Sequence, residues 1–386
     1  MTPMTHSPTD AADLTARLIR CPSVTPAEGG ALQLLQALLE PAGFECHRVD
    51  RNGTPNLFAR WGAKDAARSF GFNGHTDVVP PGDPASWTHP PFSGVELDGV
   101  IWGRGATDMK SGVAAFVAAA IDFVTQTPPD GAVILTITGD EEAAGKDGTT
   151  AILDWMDAQG ENMDVCIVAE PSNPSFMGEM IKIGRRGSIT TKITATGVQG
   201  HAAYPHRANN PVHALLALLR DWTAQPFDEA TEHFDGSGLQ VTSFDVGNPA
   251  SNVIPEKAQA VVNIRFNDRH TGESVMARLQ DDADRVQAET GVRFALDFDV
   301  SGESFLTEPG PFVDLVRDVV TDATGHTPAL STTGGTSDAR FVKDHCPVLE
   351  FGLVGQFMHQ VDERVPAAQV RQLQSIFLSV LQRYFA

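Results

Sequence analysis

The chain has 386 residues, 41% of them hydrophobic and 20% charged, with a formal net charge of -21. That length exceeds one compact core and points to two domains. So large a negative charge argues against nucleic acid or an anionic membrane as a partner of the bulk surface.

In chain order, residues 8–20 read as a helix, with Ser7, Thr9 and Asp10 as candidate caps and Leu14, Leu18 and Ile19 at helical spacing. A second amphipathic helix fits residues 28–41 and stops at Gly43. Residues 44–49 and 56–61 read as a hairpin, and 68–74 as a buried strand that runs into Gly74-His75-Thr76-Asp77-Val78-Val79-Pro80. Residues 80–107 are rich in Pro, Gly and Trp and form a long loop with brief strands, of the kind that is often functional. Asp108 follows at a loop-to-helix junction, where Asp is also a natural N-cap, and a small-residue helix covers 112–125. The strand 132–138 runs into Asp140-Glu141-Glu142. A helix at 149–158 and a strand at 165–169 lead to Glu170-Pro171. Around residue 181 the texture changes to alternating strands (188–196, 239–246, 258–267, 292–299) and two helices (210–222, 272–289). From about 310 the first texture returns: a helix at 311–323, the block Gly334-Gly335-Thr336-Ser337-Asp338, a strand at 347–351 and a terminal helix at 367–384.

This pattern predicts an α/β fold, a mixed, largely parallel sheet flanked by helices, in a catalytic domain of residues 1–180 and 296–386. An α+β lid or dimerisation domain, 181–295, is inserted into it. Cys21, Cys46, Cys166 and Cys346 show no CxxC spacing and read as free thiols. No apolar run reaches the ~20 residues of a membrane-spanning helix. The opening residues 1–6 lack the basic and apolar regions of a signal peptide, so the expected location is the cytoplasm.

His75 and Asp77 are two apart and share one side of an extended backbone, as a metal-binding histidine and its orienting carboxylate do. His75, Asp108, Glu142, Glu170 and His359 together offer two imidazoles and three carboxylates. Such a set suits zinc first, then cobalt or manganese. Five ligands are too many for one catalytic ion and fit two zinc ions sharing a carboxylate, with Asp108 as the bridge. Adjacent residues leaving a strand point different ways, so one of Glu141 and Glu142 can bind metal while the other serves as general base to the metal's water. Singly, each has an ordinary reading: a helix cap for Asp108, a solvated loop for Glu141-Glu142, a turn for Glu170, an exposed polar side chain for His359. The case rests on their joint occurrence at strand ends and in loops.

Residues 74–80, 103–110, 140–142 and 170–171 resemble, in order, the signature blocks of the di-zinc amidohydrolase and peptidase family. The resemblance implies that His75 and Glu170 hold one zinc and Glu142 and His359 the other, with Asp108 bridging. It also implies that Asp77 orients His75, that Glu141 is the general base, and that a cis peptide follows Asp108. Cobalt could substitute for zinc. Residues 184–188, 200–205, 251–255 and 331–341 resemble one branch of the family, whose small amide substrate carries several carboxylates. Lys182, Arg185, Arg186 and Arg265 would supply the cations that an acidic chain needs for it. Ser188, Tyr204, Asn252 and the Gly335-Thr336 backbone would add neutral hydrogen bonds. His201, by the same resemblance, would reach the active site of the partner in a homodimer formed through the lid and donate to the oxyanion. Acidic-substrate deacylation, cleavage of acetylated amino acids or dipeptides, and metal-dependent binding without catalysis are the readings to separate.

Overall fold

The strand Ser69–His75 is buried along its whole length. It lies inside an eight-stranded sheet, because its alternate residues face helices on both sides. The computed structural model describes residues 9–143 and 145–386, and Ser7, a candidate cap, lies outside them. The strand order is Glu45–Arg48, Leu57–Trp61, Ala132–Thr138, Ser69–His75, Val165–Val168, Val348–Glu350, Met180–Lys182 and Ala329–Ser331. The centre is parallel: Ser69 pairs with Ala132 and His75 with Thr138, and Phe70 pairs with Val165. The two strands at one edge are antiparallel, as the predicted hairpin requires. The mixed, largely parallel sheet of the sequence reading is thus the observed one.

The helix Lys110–Gln126 is buried from Lys110 to Val124. A helix apolar on every face belongs in a core, and its Ala-rich surface lets neighbouring elements approach closely. Phe116 stacks on Phe72 at 5.3 Å, and Phe377 of the terminal helix Ala367–Phe385 meets Phe72 edge-on at 5.1 Å. Asp10 caps the first helix, Ala11–Ile19, by accepting from the Ala12 N–H at 3.0 Å. Thr9 does not cap it; its N–H goes to Asp122. Asp108 does not cap the helix that follows it either, since that helix has no side-chain cap bond.

Two compact units divide the chain. The first runs to Ile183 and takes in Thr307–Ser331 and Ser337–Ala386; the second is Gly184–Leu306 with Thr332–Thr336. The second unit holds a four-stranded antiparallel sheet, ordered Gly238–Asp245, Lys257–Phe266, Gly187–Thr196, Arg293–Gly302. Strand Lys257–Phe266 alternates buried and open residues. Its buried face packs with the helices Pro211–Thr223 and Gly272–Thr290 around Ile189, Leu215, Val262, Phe266 and Leu279. The boundary expected at 295/296 falls inside the strand Arg293–Gly302, which pairs with Gly187–Thr196 and so cannot be cut there. Likewise, Met180–Lys182 is a strand of the first unit's sheet, which places Lys182 outside the inserted unit.

Candidate metal centre

Parallel strands deliver their carboxyl ends to one edge, and ligand sites collect there. Ser69–His75 ends on His75, the strand Ala132–Thr138 leads to Glu141 and Glu142, and Val165–Val168 leads to Glu170. His75 is the last residue of its strand rather than one beyond it, and it is fully buried. Its Nε2 lies 3.2 Å from Asp108 Oδ1, 3.7 Å from Glu170 Oε1 and 3.9 Å from Glu141 Oε2. His359 Nε2 lies 3.0 Å from Glu142 Oε1 and 3.5 Å from Asp108 Oδ2. Two groups follow, His75–Asp108–Glu170 and Asp108–Glu142–His359, each with ligand atoms within 4.8 Å of one another.

Donors about 2.0–2.2 Å from a tetrahedral ion lie about 3.3–3.6 Å apart. The observed His-to-carboxylate separations sit around that value, and the two Asp108 oxygens face different histidines. The imidazole and carboxylate donors, one oxygen of Asp108 to each side, therefore fit two divalent ions sharing Asp108. The peptide bond from Asp108 to Met109 is cis.

Electrostatics describe the same arrangement. Burial works against a charge on His75, yet the Asp108, Asp77 and Glu170 carboxylates hold its pKa well above the ordinary value. Hydrogen bonds to Asp108 and Glu142 raise His359 to about 10. Burial raises Glu170, and the neighbouring Asp108 adds to it. Asp108 is held below the usual carboxylate range: burial opposes this, and the bonds to His359 and His75 prevail. The histidine shifts reflect how strongly the surrounding carboxylates favour positive charge. Glu141 is raised to about 8, first by burial and then, against the pull of His75, by Asp338, Asp108 and Glu142.

Asp77 does more than the sequence reading gave it. It is fully buried, and Oδ1 stands 3.5 Å from His75 Nδ1 while the Asp77 carbonyl lies 3.0 Å from the same nitrogen. The carboxylate also accepts from the backbone N–H of Glu141 (3.3 Å) and of Glu142 (3.1 Å). One residue thus holds the ring of one cluster, by its main-chain carbonyl with the carboxylate close by, and by that carboxylate the loop that carries a ligand of the other. Gly112 and Gly352 let their segments close on the backbone before and at Glu170. An added Cβ would lie 3.1 Å from Ala169 Cβ in the first case and 2.8 Å from the Glu170 carbonyl carbon in the second.

The remaining candidates fall elsewhere. Lys182 Nζ is 3.3 Å from Ser331 Oγ in the main sheet of the first unit. Arg185, Arg186, Ser188, Arg265, Gly335 and Thr336 belong to the second unit. There Ser188 is the strand partner of Arg265, and Arg185 donates to the Thr333 carbonyl at 3.1 Å. Arg265 is lowered by burial first and then by the charges of Arg186 and Arg185. Arg265 NH1 and Arg186 Nε are buried without a hydrogen-bond partner among the described residues. His201 pairs with Val253 on a short ribbon, and the Ala202 N–H bonds to the Asn252 carbonyl. His201 Nδ1 accepts from the Ala203 N–H at 3.0 Å, which leaves Nε2 as the donor of the neutral ring. The Tyr204 ring is 5.6 Å away.

Sequence reasoning passed over Glu363 and Arg104. Both are buried and ion-paired at 2.7 Å, and Glu363 accepts from the Asp108 N–H. Arg104 stood inside a recognised block, but nothing in the sequence marks Glu363.

A mixed α/β sheet with a His/carboxylate metal centre at its carboxyl edge defines a metal-dependent hydrolase. The chain belongs to Peptidase family M20/M25/M40, whose model matches residues 71–383. It is 75% identical over 378 residues to the succinyl-diaminopimelate desuccinylase of Paracoccus denitrificans, covering 98% of this chain and 99% of that one. It is 64% identical over 379 residues to that of Cereibacter sphaeroides, covering 98% and 100%. The fold is shared with aminopeptidase PepT of Bacillus cereus (TM-score 0.79, 18% identity, 97% of this chain and 98% of that one). It is also shared with a dinuclear metal binding peptidase of Bacillus subtilis (TM-score 0.71, 15% identity, 97% and 98%). A metal cofactor follows from this family and from the two ligand groups. No helix among the described residues is long and apolar enough to cross a membrane.

Proposed function

We propose that the chain hydrolyses the succinyl amide of N-succinyl-L,L-2,6-diaminopimelate, yielding succinate and L,L-2,6-diaminopimelate, a step of diaminopimelate and lysine biosynthesis in the cytoplasm. The observation that carries this reading is 75% identity to a desuccinylase along 98% of the chain, supported by the closeness of the His75–Asp108–Glu170 and Asp108–Glu142–His359 groups and Glu141. Zinc is the proposed metal, two ions per chain, with cobalt able to substitute. When bound, the ions supply an acidified water and polarise the scissile carbonyl.

In this reading His75, Asp108 and Glu170 hold one ion, and Asp108, Glu142 and His359 the other. Asp77 keeps the His75 ring and the Glu141–Glu142 backbone in register. Glu141 takes a proton from the attacking water. The water oxygen bonds to the amide carbon, the C–N bond breaks, and Glu141 returns the proton to the leaving amine nitrogen. The second unit serves as lid and dimerisation domain. Its Arg185, Arg186 and Arg265, with partnerless buried N–H groups on the last two, suit the substrate's carboxylates, and Lys182 adds a further cation. Ser188, Tyr204, Asn252 and the Gly335-Thr336 backbone supply neutral hydrogen bonds. His201 of one subunit donates from Nε2 to the oxyanion in the other.

A panel of N-succinyl-L,L-diaminopimelate, N-acetylornithine and dipeptides, run with metal-depleted and zinc-restored protein, tests the reading. The succinylated substrate should be cut fastest and only with metal. Faster turnover of either other class overturns the substrate assignment, and no hydrolysis of any of them returns the chain to a binding role.

A further inference from the structure

Two loops far apart in sequence carry Asp108 and His359, and a buried ion pair ties them together. Glu363 is fully buried and Arg104 is 3% exposed. Glu363 Oε2 accepts from Arg104 NH1 (2.7 Å) and from the Gly105 N–H (3.1 Å), while Oε1 accepts from the N–H groups of Thr107 (2.8 Å) and Asp108 (3.1 Å). The carboxylate thus sits in a nest of backbone donors that ends on Asp108 itself. From the other side, Arg104 NH1 donates to the Gln360 carbonyl at 3.2 Å, and NH2 lies 3.5 Å from the carbonyls of His359 and Pro80. The guanidinium also lies against the Trp87 ring, 5.2 Å from its centroid.

His359 has φ of +59° and Asp362 of +60°, in the left-handed region that side chains other than glycine seldom adopt. Such backbone persists only where its surroundings hold it. Arg104 grips the carbonyl at His359 and the next one, and the Asp362 carboxylate is bound by Thr88 through N–H and Oγ1, both at 2.7 Å. No comparable tie is needed for His75 and Glu170, which leave adjacent strands of the sheet.

We propose that the Arg104–Glu363 pair is a positioning device that sets the separation of Asp108 and His359, and so governs metal uptake by the Asp108–Glu142–His359 cluster more than by the His75 cluster. Neither residue touches a reacting atom. The pair acts through the two loops.

The proposal rests on the two-ion reading given above, and zinc titration by calorimetry separates the two. Wild-type protein that takes up one ion overturns that reading and the proposal with it. Arg104→Lys keeps a cation beside Glu363 but loses the fork that reaches the His359 and Gln360 carbonyls. It should weaken the second zinc step about 10- to 100-fold, as loss of a ligand-orienting partner does, and alter the first by less than about twofold. Cobalt spectra should show the first site unchanged and the second altered. Glu363→Gln, which turns an amide donor toward backbone donors, is the second variant; because Glu363 also bonds the shared Asp108, it should weaken both steps, the second by more than the first, with turnover restored by excess zinc. Equal weakening of both steps, or no change in either, in whichever variant folds as judged by circular dichroism, overturns the proposal.

Discussion

The two ligand groups share Asp108 but are built differently. His75 is fully buried on the end of a central strand, and Glu170 follows the neighbouring strand at 8% exposure. The His359 side chain is half exposed, and Glu142 and His359 are carried on loops. One cluster inherits the placement of His75 and Glu170 from sheet register, with Asp77 beside the His75 ring. The other depends on side chains, Asp77 and the Arg104–Glu363 pair, that hold loops in place. Preorganised ligands lose less freedom on binding, so the buried cluster should hold its ion more tightly.

The largest expected effect asks whether the two clusters stand without Glu141, the proposed base. Glu141→Gln should lower turnover about 10²- to 10⁴-fold while metal analysis still finds both ions. Substantial residual activity would remove Glu141 from its role. Next, His75→Ala and His359→Ala should differ in kind. The first should abolish the tighter zinc step, and the second should leave that step and lose the weaker one, each by more than about 100-fold, the upper end for loss of an orienting partner. Identical titrations for the two variants would erase the asymmetry.

Asp77→Asn should weaken both steps about 10- to 100-fold, since the Asp77 carboxylate stands 3.5 Å from His75 Nδ1 and accepts from the Glu141 and Glu142 N–H groups. A loss confined to one step would show that its second set of bonds is idle. The smallest effect is in pH. His359 is raised to about 10, so it is protonated at neutral pH in the ion-free chain, and His75 is shifted in the same direction by the Asp108, Asp77 and Glu170 carboxylates against its burial. Zinc needs the neutral ring, so binding releases protons and affinity rises with pH, by up to about tenfold per unit for each proton, until pH passes the ion-free pKa. Binding enthalpies that do not vary with buffer ionisation heat would contradict this.

Much of this was legible in sequence because the ligands lie at the ends of long apolar strands or inside short blocks: His75 after Phe70–Phe72, Glu141 and Glu142 after Val133–Ile137, Glu170 after Val165–Val168. Burial on both faces makes such strands conspicuous. Shorter pieces were not legible. Met180–Lys182 and Ala329–Ser331 have three residues each, too few for a period, and only pairing places Lys182 in the main sheet. The strand Arg293–Gly302 runs on past a boundary drawn on texture, through Asp297, Asp299 and Ser301, which are polar because that face is open. Asp108 could equally have been a helix cap until its oxygens were seen to face two histidines. Glu363 left no trace because its partners, the Arg104 side chain and three backbone N–H groups, lie about 255 residues earlier, beyond the reach of any local pattern.

The central claim is a pair of unequal metal clusters joined through Asp108, and calorimetric zinc titration of the metal-depleted wild-type protein tests it most directly. Two ions per chain should enter in two resolved steps, the tighter one first and the one that vanishes in His75→Ala. Saturation at a single ion, or two indistinguishable steps, would contradict it.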